Sequence, residues 1–308
     1  MFKKIFIFLF FVTLFTNNPY IAGEETSIKV RLLYEIKGPA SFPLNQPSDI
    51  ALGPNGNLYI LDGVNHRVVV TNQKGEFIKE FGAKGDKQGE LDTPLGITID
   101  IDGRVYIADS KNHRISIFDS EGNFQHQFSL KPGEEKLPAD PTDIIVVKDK
   151  CFIVDNDNHR VLVYNKKGDF IREWGNNGRR KGEFRFPFML SSDSKGEIYI
   201  VDVINARVQV FDQEGNYLRQ IGLWGIKKGT FYRPKGITID KQDRIFISDS
   251  FLGVIQVFNR DGEFISLINN EYNNRRNFIT PVGILTDESN HLYVVEMIAN
   301  LIEVFNLQ

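Results

Sequence analysis

The chain has 308 residues, of which 41% are apolar and 25% are charged, and its formal net charge at pH 7 is −3. This ordinary globular composition excludes a disordered acidic tail and provides no overall basic charge for binding nucleic acid. Cys151 is the one cysteine, so no disulfide can form within the chain and the fold must be stabilised by its apolar core.

The first 23 residues have the pattern of a secretory signal peptide. Lys3 and Lys4 precede an apolar run over residues 5–15, and small residues follow at Ala22 and Gly23. The run is shorter than the roughly 20 apolar residues that a membrane-spanning helix needs. We therefore predict a secreted or periplasmic protein with a single domain over residues 24–308. An uncleaved N-terminal segment would instead anchor the chain in the membrane.

A proline recurs six times at intervals of 46 or 47 residues. Each proline opens a series of four short runs of β-branched and aromatic residues, separated by turn residues such as Asp102 and Gly103. Four strands in each repeat of 40–50 residues are typical of propeller blades, so we predict an all-β, six-bladed β-propeller. The six prolines are Pro47, Pro94, Pro141, Pro187, Pro234 and Pro281.

The sixth repeat ends soon after Phe305, at its third strand, so its fourth strand is missing from the C-terminus. In the other five repeats the fourth strand begins with an aromatic residue 17 positions before the next proline, and Val30 lies 17 positions before Pro47. We predict that about residues 28–36 form the missing antiparallel strand and close the ring. This spacing aligns Val30 with Phe77 of the first repeat.

The first repeat contains Tyr59-Ile-Leu-Asp-Gly-Val-Asn-His-Arg-Val-Val-Val70, followed by Gly75-Glu-Phe77. With its counterparts in the later repeats, this segment resembles the NHL repeat, and the resemblance covers about residues 28–306. It implies a six-bladed propeller. It does not imply one function, because proteins that resemble one another in this repeat include scaffolds that bind protein or RNA, extracellular bacterial propellers and a peptide-amidating lyase.

Repeats one to four carry an Asp-x-x-Asn-x-Arg pattern after the second strand. Aspartate and asparagine side chains bind nearby main-chain amides in turns, and arginine pairs with aspartate in a two-pronged geometry. Because the pattern recurs, we interpret it as structural; the alternative is a ring of ligands around a central channel. Its members are Asp62, Asn65, Arg67, Asp109, Asn112, Arg114, Asp155, Asn158, Arg160, Asp202, Asn205 and Arg207.

A histidine follows the asparagine in the first three repeats, and His66, His113 and His159 are therefore candidate zinc ligands. Each lies between the second and third strands of its blade, so we expect them to diverge around the ring. Residues 155–158 are similar to a calcium loop but lack the central glycine and distal glutamate of such loops. We predict no cofactor, with zinc or calcium as the alternative.

The last repeats depart from the polar pattern. Leu252 and Val254 replace the asparagine and arginine in repeat five, and Glu296 replaces the aspartate in repeat six. The loops at 175–186, 222–233 and 269–280 are basic and include aromatic residues, and strand alternation places them on the same face as these turns. We interpret this face as a partner surface; decayed repeats and solubilising charge are the alternatives. The candidate partner-binding residues are Arg179, Arg180, Lys181, Trp224, Lys227, Lys228, Tyr232, Phe251, Leu252, Arg275, Arg276 and Met297.

Two main functions are consistent with these observations, and a purely architectural role in the cell envelope is a third possibility that an uncleaved N-terminal segment would support. The first is a monomeric, exported binding scaffold for a protein, peptide or polysaccharide; export argues against a nucleic-acid partner. The second is an enzyme, a metal-dependent lyase or hydrolase similar to the peptide-amidating lyase, with a metal in the central channel. No catalytic residue can be named from the sequence for the second function.

Overall fold

The computed structural model describes residues 28–133, 137–270, 272 and 274–308. The predicted signal peptide, residues 1–23, lies outside the described residues. The strands in chain order are β1 (Ile28–Ile36), β2 (Pro47–Leu52), β3 (Leu58–Asp62), β4 (Arg67–Thr71), β5 (Phe77–Phe81), β6 (Pro94–Ile99), β7 (Val105–Asp109), β8 (Arg114–Phe118), β9 (Phe124–Ser129), β10 (Pro141–Val147), β11 (Lys150–Asp155), β12 (Arg160–Asn165), β13 (Phe170–Trp174), β14 (Pro187–Ser192), β15 (Ile198–Asp202), β16 (Arg207–Phe211), β17 (Tyr217–Ile221), β18 (Pro234–Ile239), β19 (Ile245–Asp249), β20 (Val254–Phe258), β21 (Phe264–Asn270), β22 (Pro281–Thr286), β23 (His291–Glu296) and β24 (Leu301–Leu307).

These strands form six blades, as the proline spacing predicts. Blades one to four are separate antiparallel sheets made of β2–β5, β6–β9, β10–β13 and β14–β17. Blade five is β18–β21, and blade six is β22–β24 completed by β1. A three-residue 3₁₀ turn, Ser110–Asn112, follows β7. Within the described ranges, no helix has the length and apolar character needed to cross a membrane.

The burial of a strand depends on its position in the blade. In blade two, β7 and β8 are buried along their whole length because neighbouring blades cover both of their faces. Their sequences are consequently continuous apolar runs rather than alternating ones. The outermost strand, β9, is largely exposed. The first strands of all six blades line a central channel.

The core consists of apolar clusters between neighbouring blades, and the described residues contain one such cluster at each of the six contacts. Cys151 is buried in the cluster between blades two and three. Burial raises the pKa of its thiol to about 12, so it serves there as a small apolar side chain. The ring is therefore stabilised by blade-to-blade packing rather than by one central core.

The predicted ring closure is confirmed, with a different register. β1 pairs antiparallel with β24, from Val30 opposite Leu307 to Ile36 opposite Ile302. This pairing makes Leu32, rather than Val30, the counterpart of Phe77, because Leu32 lies opposite Phe305 just before a β-bulge. The cause is the connection to the next blade: the loop at 37–46 is two residues shorter than the loop at 82–93.

β1 makes a second contact that the repeat pattern does not predict. Its first three residues pair in parallel with the outermost strand of blade five, with Ile28 opposite Ile268 and Val30 opposite Asn270. Blades five and six thus form one eight-stranded sheet. The N-terminal strand therefore joins two blades as well as completing one of them.

Shortening a buried side chain on β1 will destabilise the whole ring. Val30 is 2% exposed, whereas Leu32 on the same strand is 44% exposed. Val30→Ala should lower the free energy of unfolding by about 2 kcal/mol, because it removes buried methyl groups from the contact between blades five and six. Leu32→Ala should change it by only about 0.5 kcal/mol. Urea unfolding followed by tryptophan fluorescence measures both, and equal effects would argue against closure by β1.

Candidate functional site

Two sets of connections lie at the same end of the strands and form what we call the upper face. One set is the turns between the second and third strands, at 63–66, 110–113, 156–159, 203–206, 250–253 and 297–300. The other is the loops that join one blade to the next. All the candidate residues named from the sequence belong to these turns, these loops or the strand ends beside them.

The repeated aspartate holds the turn and the preceding loop together. In blade four, Asp202 accepts hydrogen bonds from the Arg185 main-chain N–H at 2.8 Å, Asn205 Nδ2 at 2.8 Å and Arg207 Nε at 2.9 Å. Arg207 also donates to the carbonyl oxygen of Arg180, in the loop before the first strand. Corresponding aspartate contacts form around Asp62 with Asn65 and Arg67, Asp109 with Asn112 and Arg114, and Asp155 with Asn158 and Arg160.

The three candidate zinc ligands lie in separate blades. Each occupies the left-handed position of its turn, with φ of 54°, 53° and 56° for His66, His113 and His159. The Nδ1 atom of each contacts the main chain of the following loop. The described residues contain no group of three or more histidine, cysteine, aspartate or glutamate side chains placed to hold a metal ion.

The cationic candidates of the loop at 175–186 lie over blade four. Arg179, Arg180 and Lys181 are exposed, and the Lys181 Nζ atom lies 5.3 Å from the centre of the Tyr217 ring. Two depressions of the upper face lie one on each side of the turn at 250–253, and none of the three residues lines either of them. They therefore form a separate basic edge rather than part of a shared site.

Two candidates at blade six are already engaged in contacts within the fold. The guanidinium of Arg276 pairs with Glu303 at 2.5 Å and lies over the ring of Phe305. Met297 packs against the apolar cluster between blades six and one. The exposed apolar residue of this turn is its neighbour Ile298, which is 63% exposed.

Three aromatic candidates form a chain of rings on the upper face. The ring centres of Trp224 and Tyr232 are 6.3 Å apart, and those of Tyr232 and Phe251 are 4.3 Å apart. Trp224 and Phe251 are 65% and 67% exposed. Exposed aromatic side chains that are already ordered by stacking are frequent anchors of protein interfaces.

A groove of about 590 Å³ lies on one side of this chain of rings, over blade five. It brings together four candidates from three different connections. Its apolar lining includes Leu252, Val254 and Leu267, and Lys227, Lys228 and Arg275 lie at its rim. No carboxylate lines it in the part of the chain that the structure describes. We call this depression the blade-five groove.

The groove exists because three positions that are polar in blades one to four are all apolar in blade five. In blade four, Asn205 binds the loop carbonyl of Gly178, and Arg207 binds both Asp202 and Gln220. Blade five has Leu252, Val254 and Leu267 at the asparagine, arginine and glutamine positions. Valine is much shorter than arginine, so the space that a guanidinium fills in blades one to four is left open.

A second depression of about 690 Å³ lies at the channel mouth, on the other side of the Phe251 turn. It is lined by Phe186, Phe188, Phe251 and Ile298, together with two cations, Arg233 and Lys235. Neither cation is among the candidate residues named from the sequence. In the sequence Lys235 is an ordinary strand residue, and only the closed ring places it at the channel mouth. The sequence feature that distinguishes Lys235 is that no other repeat has a cation beside the strand-opening proline.

The family comparisons agree with this architecture. Residues 44–70 and 91–118 match the NHL repeat, and residues 190–306 match a family described as a 6-bladed beta-propeller. The chain belongs to the NHL-repeat β-propeller family. No curated protein matches it significantly.

Solved structures similar to this NHL-repeat propeller include enzymes and proteins of unknown function. A catalytically inactive virginiamycin B lyase from Staphylococcus aureus with quinupristin is 17% identical, with a TM-score of 0.63 over 91% of this chain and 89% of that one. A gluconolactonase from Xanthomonas campestris is 14% identical, with a TM-score of 0.64 over 91% and 90%. A protein of unknown function from Bacteroides thetaiotaomicron is 15% identical, with a TM-score of 0.66 over 92% and 76%. Identities this low show a shared fold alone.

Beneath the mouth, the propeller channel contains two buried carboxyl groups. Asp49 accepts a hydrogen bond from the Ile97 N–H at 2.9 Å, and Asp143 accepts one from the Leu190 N–H at 2.9 Å. Each bond links the first strands of neighbouring blades. Burial raises the pKa of Asp49 to about 7. Burial, and then the charge of Asp49, raise the pKa of Asp143.

The raised pKa of Asp49 predicts that stability falls as the pH rises. A carboxyl whose pKa is higher in the folded state binds its proton more tightly there, so stability is greatest below its ordinary pKa of 3.8 and is lost between about pH 4 and pH 7. Asp49→Asn keeps an acceptor for the Ile97 N–H without the charge. It should flatten this decline and exceed the parent in stability at pH 8, as measured by urea unfolding from pH 4 to 8. An unchanged pH profile would show that Asp49 is not the group responsible.

Proposed function

We propose that the protein is an exported binding scaffold that uses the blade-five groove to capture an acidic, partly apolar segment of a partner protein. The signal-peptide pattern of residues 1–23 supports export, and the NHL-repeat propeller provides a rigid support for the face. The observation that carries the proposal is the joint replacement of three polar positions by Leu252, Val254 and Leu267 in one blade.

The replacement leaves the fold of blade five intact, which separates it from simple decay of the repeat. Asp249 keeps the position of the repeated aspartate and accepts hydrogen bonds from the main-chain N–H groups of Tyr232, Arg233, Phe251 and Leu252. These donors compensate the buried carboxylate without an arginine. The turn and the loop therefore stay in place while the volume above Val254 is open to a ligand.

The charge of the rim defines the chemistry of the partner. Lys227 and Arg275 approach the groove from two different loops, and Arg275 also donates to the carbonyl oxygen of Leu252 at 3.3 Å. An acidic segment would place its carboxylates at this rim. Its aliphatic side chains would cover the apolar floor of the groove. A polysaccharide of similar charge has no such side chains and would leave the floor uncovered.

The aromatic chain extends the same surface toward the axis. Tyr232 lies between Trp224 and Phe251, so the rings form a continuous apolar ridge beside the groove. A bound segment that fills the groove and crosses this ridge would bury both exposed rings. Such a contact concentrates binding energy in a few aromatic and arginine side chains.

Refilling the groove tests the proposal, since blade four shows which residues fill it. The triple variant Leu252→Asn, Val254→Arg, Leu267→Gln gives blade five the side chains of blade four. The probe is a fluorescein-labelled peptide of alternating glutamate and leucine, with binding followed by fluorescence anisotropy. We expect the variant to bind roughly tenfold more weakly than the parent, with an unchanged melting temperature as its folding control.

Two comparisons make the result specific. A peptide of alternating glutamate and serine should bind the parent more weakly, because it lacks side chains for the apolar floor. Lys227→Gln with Lys228→Gln should weaken binding, whereas Arg179→Gln with Arg180→Gln removes the same charge from blade four and should not. Equal binding by parent and triple variant would overturn the proposal. Equal binding of both peptides would point instead to an acidic polymer recognised by charge alone.

A further inference from the structure

Beyond the groove, we infer that Lys235 and Arg233 form a binding site for a small carboxylate with an aromatic or branched apolar body, seated in the channel mouth. The inference does not depend on the blade-five groove, since the two depressions have no lining residue in common.

Eight of the twelve residues on either side of the six strand-opening prolines line the mouth. Nine of these twelve residues are uncharged, and the charged ones are Asp140, Arg233 and Lys235. Both cations therefore belong to one blade. Asp140 lies two blades away, where its Oδ1 atom accepts a hydrogen bond from Ser110 Oγ. No ion pair joins Asp140 to either cation in the described structure.

Neither cation has an anionic partner within the described part of the chain. The Lys235 ammonium lies 3.9 Å from the centre of the Phe188 ring, and Lys235 is half-buried. Arg233 donates to the Tyr232 carbonyl oxygen at 3.2 Å and lies over the Tyr232 ring. In blades one to four, by contrast, each arginine of the repeated pattern pairs with a buried aspartate.

The pKa of Lys235 also indicates that the positive charge of the mouth is uncompensated. Burial, and then the neighbouring charge of Arg233, lower the pKa of the Lys235 ammonium. A carboxylate bound between the two cations would compensate both effects and raise that pKa again. Arg233 and Asp140 are the other ionisable residues of the lining, and Asp140 is engaged with Ser110.

The rest of the lining suits the apolar part of such a ligand. Phe186, Phe188, Phe251 and Ile298 line the mouth, and Phe251 and Ile298 are largely exposed. A volume of about 690 Å³ is in the range of small-molecule sites. A carboxylate fixed by two cations, with its ring among these side chains, would use both the cationic and the apolar parts of the lining.

Phenylacetate and its uncharged amide, phenylacetamide, test the site directly. Isothermal titration calorimetry with the parent protein should show phenylacetate binding about tenfold more tightly than phenylacetamide. Titration in alkaline buffers of different ionisation enthalpy should show proton uptake on binding, because the carboxylate raises the pKa of Lys235. Equal affinity for acid and amide would overturn the inference without any variant.

Variants then assign the effect to the mouth. Lys235→Met keeps the length and apolar stem of the side chain and should weaken phenylacetate binding about tenfold, while leaving phenylacetamide unchanged. Lys227→Met removes an equal charge from the groove and should have no effect. Unchanged phenylacetate binding in Lys235→Met, or complete displacement by equimolar inorganic phosphate, would contradict the assigned site. Failure of the groove peptide to bind would leave this result untouched, so the two proposals fail separately.

Discussion

In all six blades, an acidic side chain at the end of the second strand accepts hydrogen bonds from the main chain of the loop before the first strand. The acceptors are Asp62, Asp109, Asp155, Asp202, Asp249 and Glu296. Each is buried, and a buried carboxylate is costly unless hydrogen bonds or a counter-charge compensate it. The loops of the upper face are therefore held in the same way, and the blades differ mainly in the side chains that this frame presents.

Blades five and six show how the frame tolerates changes around it. In blade five, four main-chain N–H groups donate to Asp249, so the buried carboxylate remains compensated although the arginine is missing. In blade six the cation lies in the loop and the carboxylate on the third strand, because Arg276 of the loop pairs with Glu303. The polar network above the acidic acceptor is thus replaceable, and the sites proposed here lie where it has been replaced or is absent.

The sequence was sufficient to predict the fold because a period of 46 or 47 residues marks every blade. It placed β1 correctly in blade six but two residues out of register, since the alignment could not detect the shorter loop at 37–46. The parallel pairing of β1 with β21 had no repeated signal at all.

For a related reason, only some of the residues at the proposed sites could be recognised from the sequence. Trp224, Tyr232 and Leu252 can be recognised because they break the repeat within a loop or a turn. Whether they meet depends on blade geometry, which the sequence does not give. Lys235 lies on the first strand, where facing the axis is a property of the closed ring rather than of neighbouring residues.

The sharing of β1 between blades five and six also bears on local unfolding. In blades one to four a sheet can open along its own outer edge, whereas β1 cannot leave β24 without also exposing the edge of β21. Blades five and six should therefore behave as one cooperative unit in native-state hydrogen exchange, with matched protection across β20, β21, β1 and β24. The groove lies on that unit, so a ligand bound there would slow exchange at the seam where the ring closes.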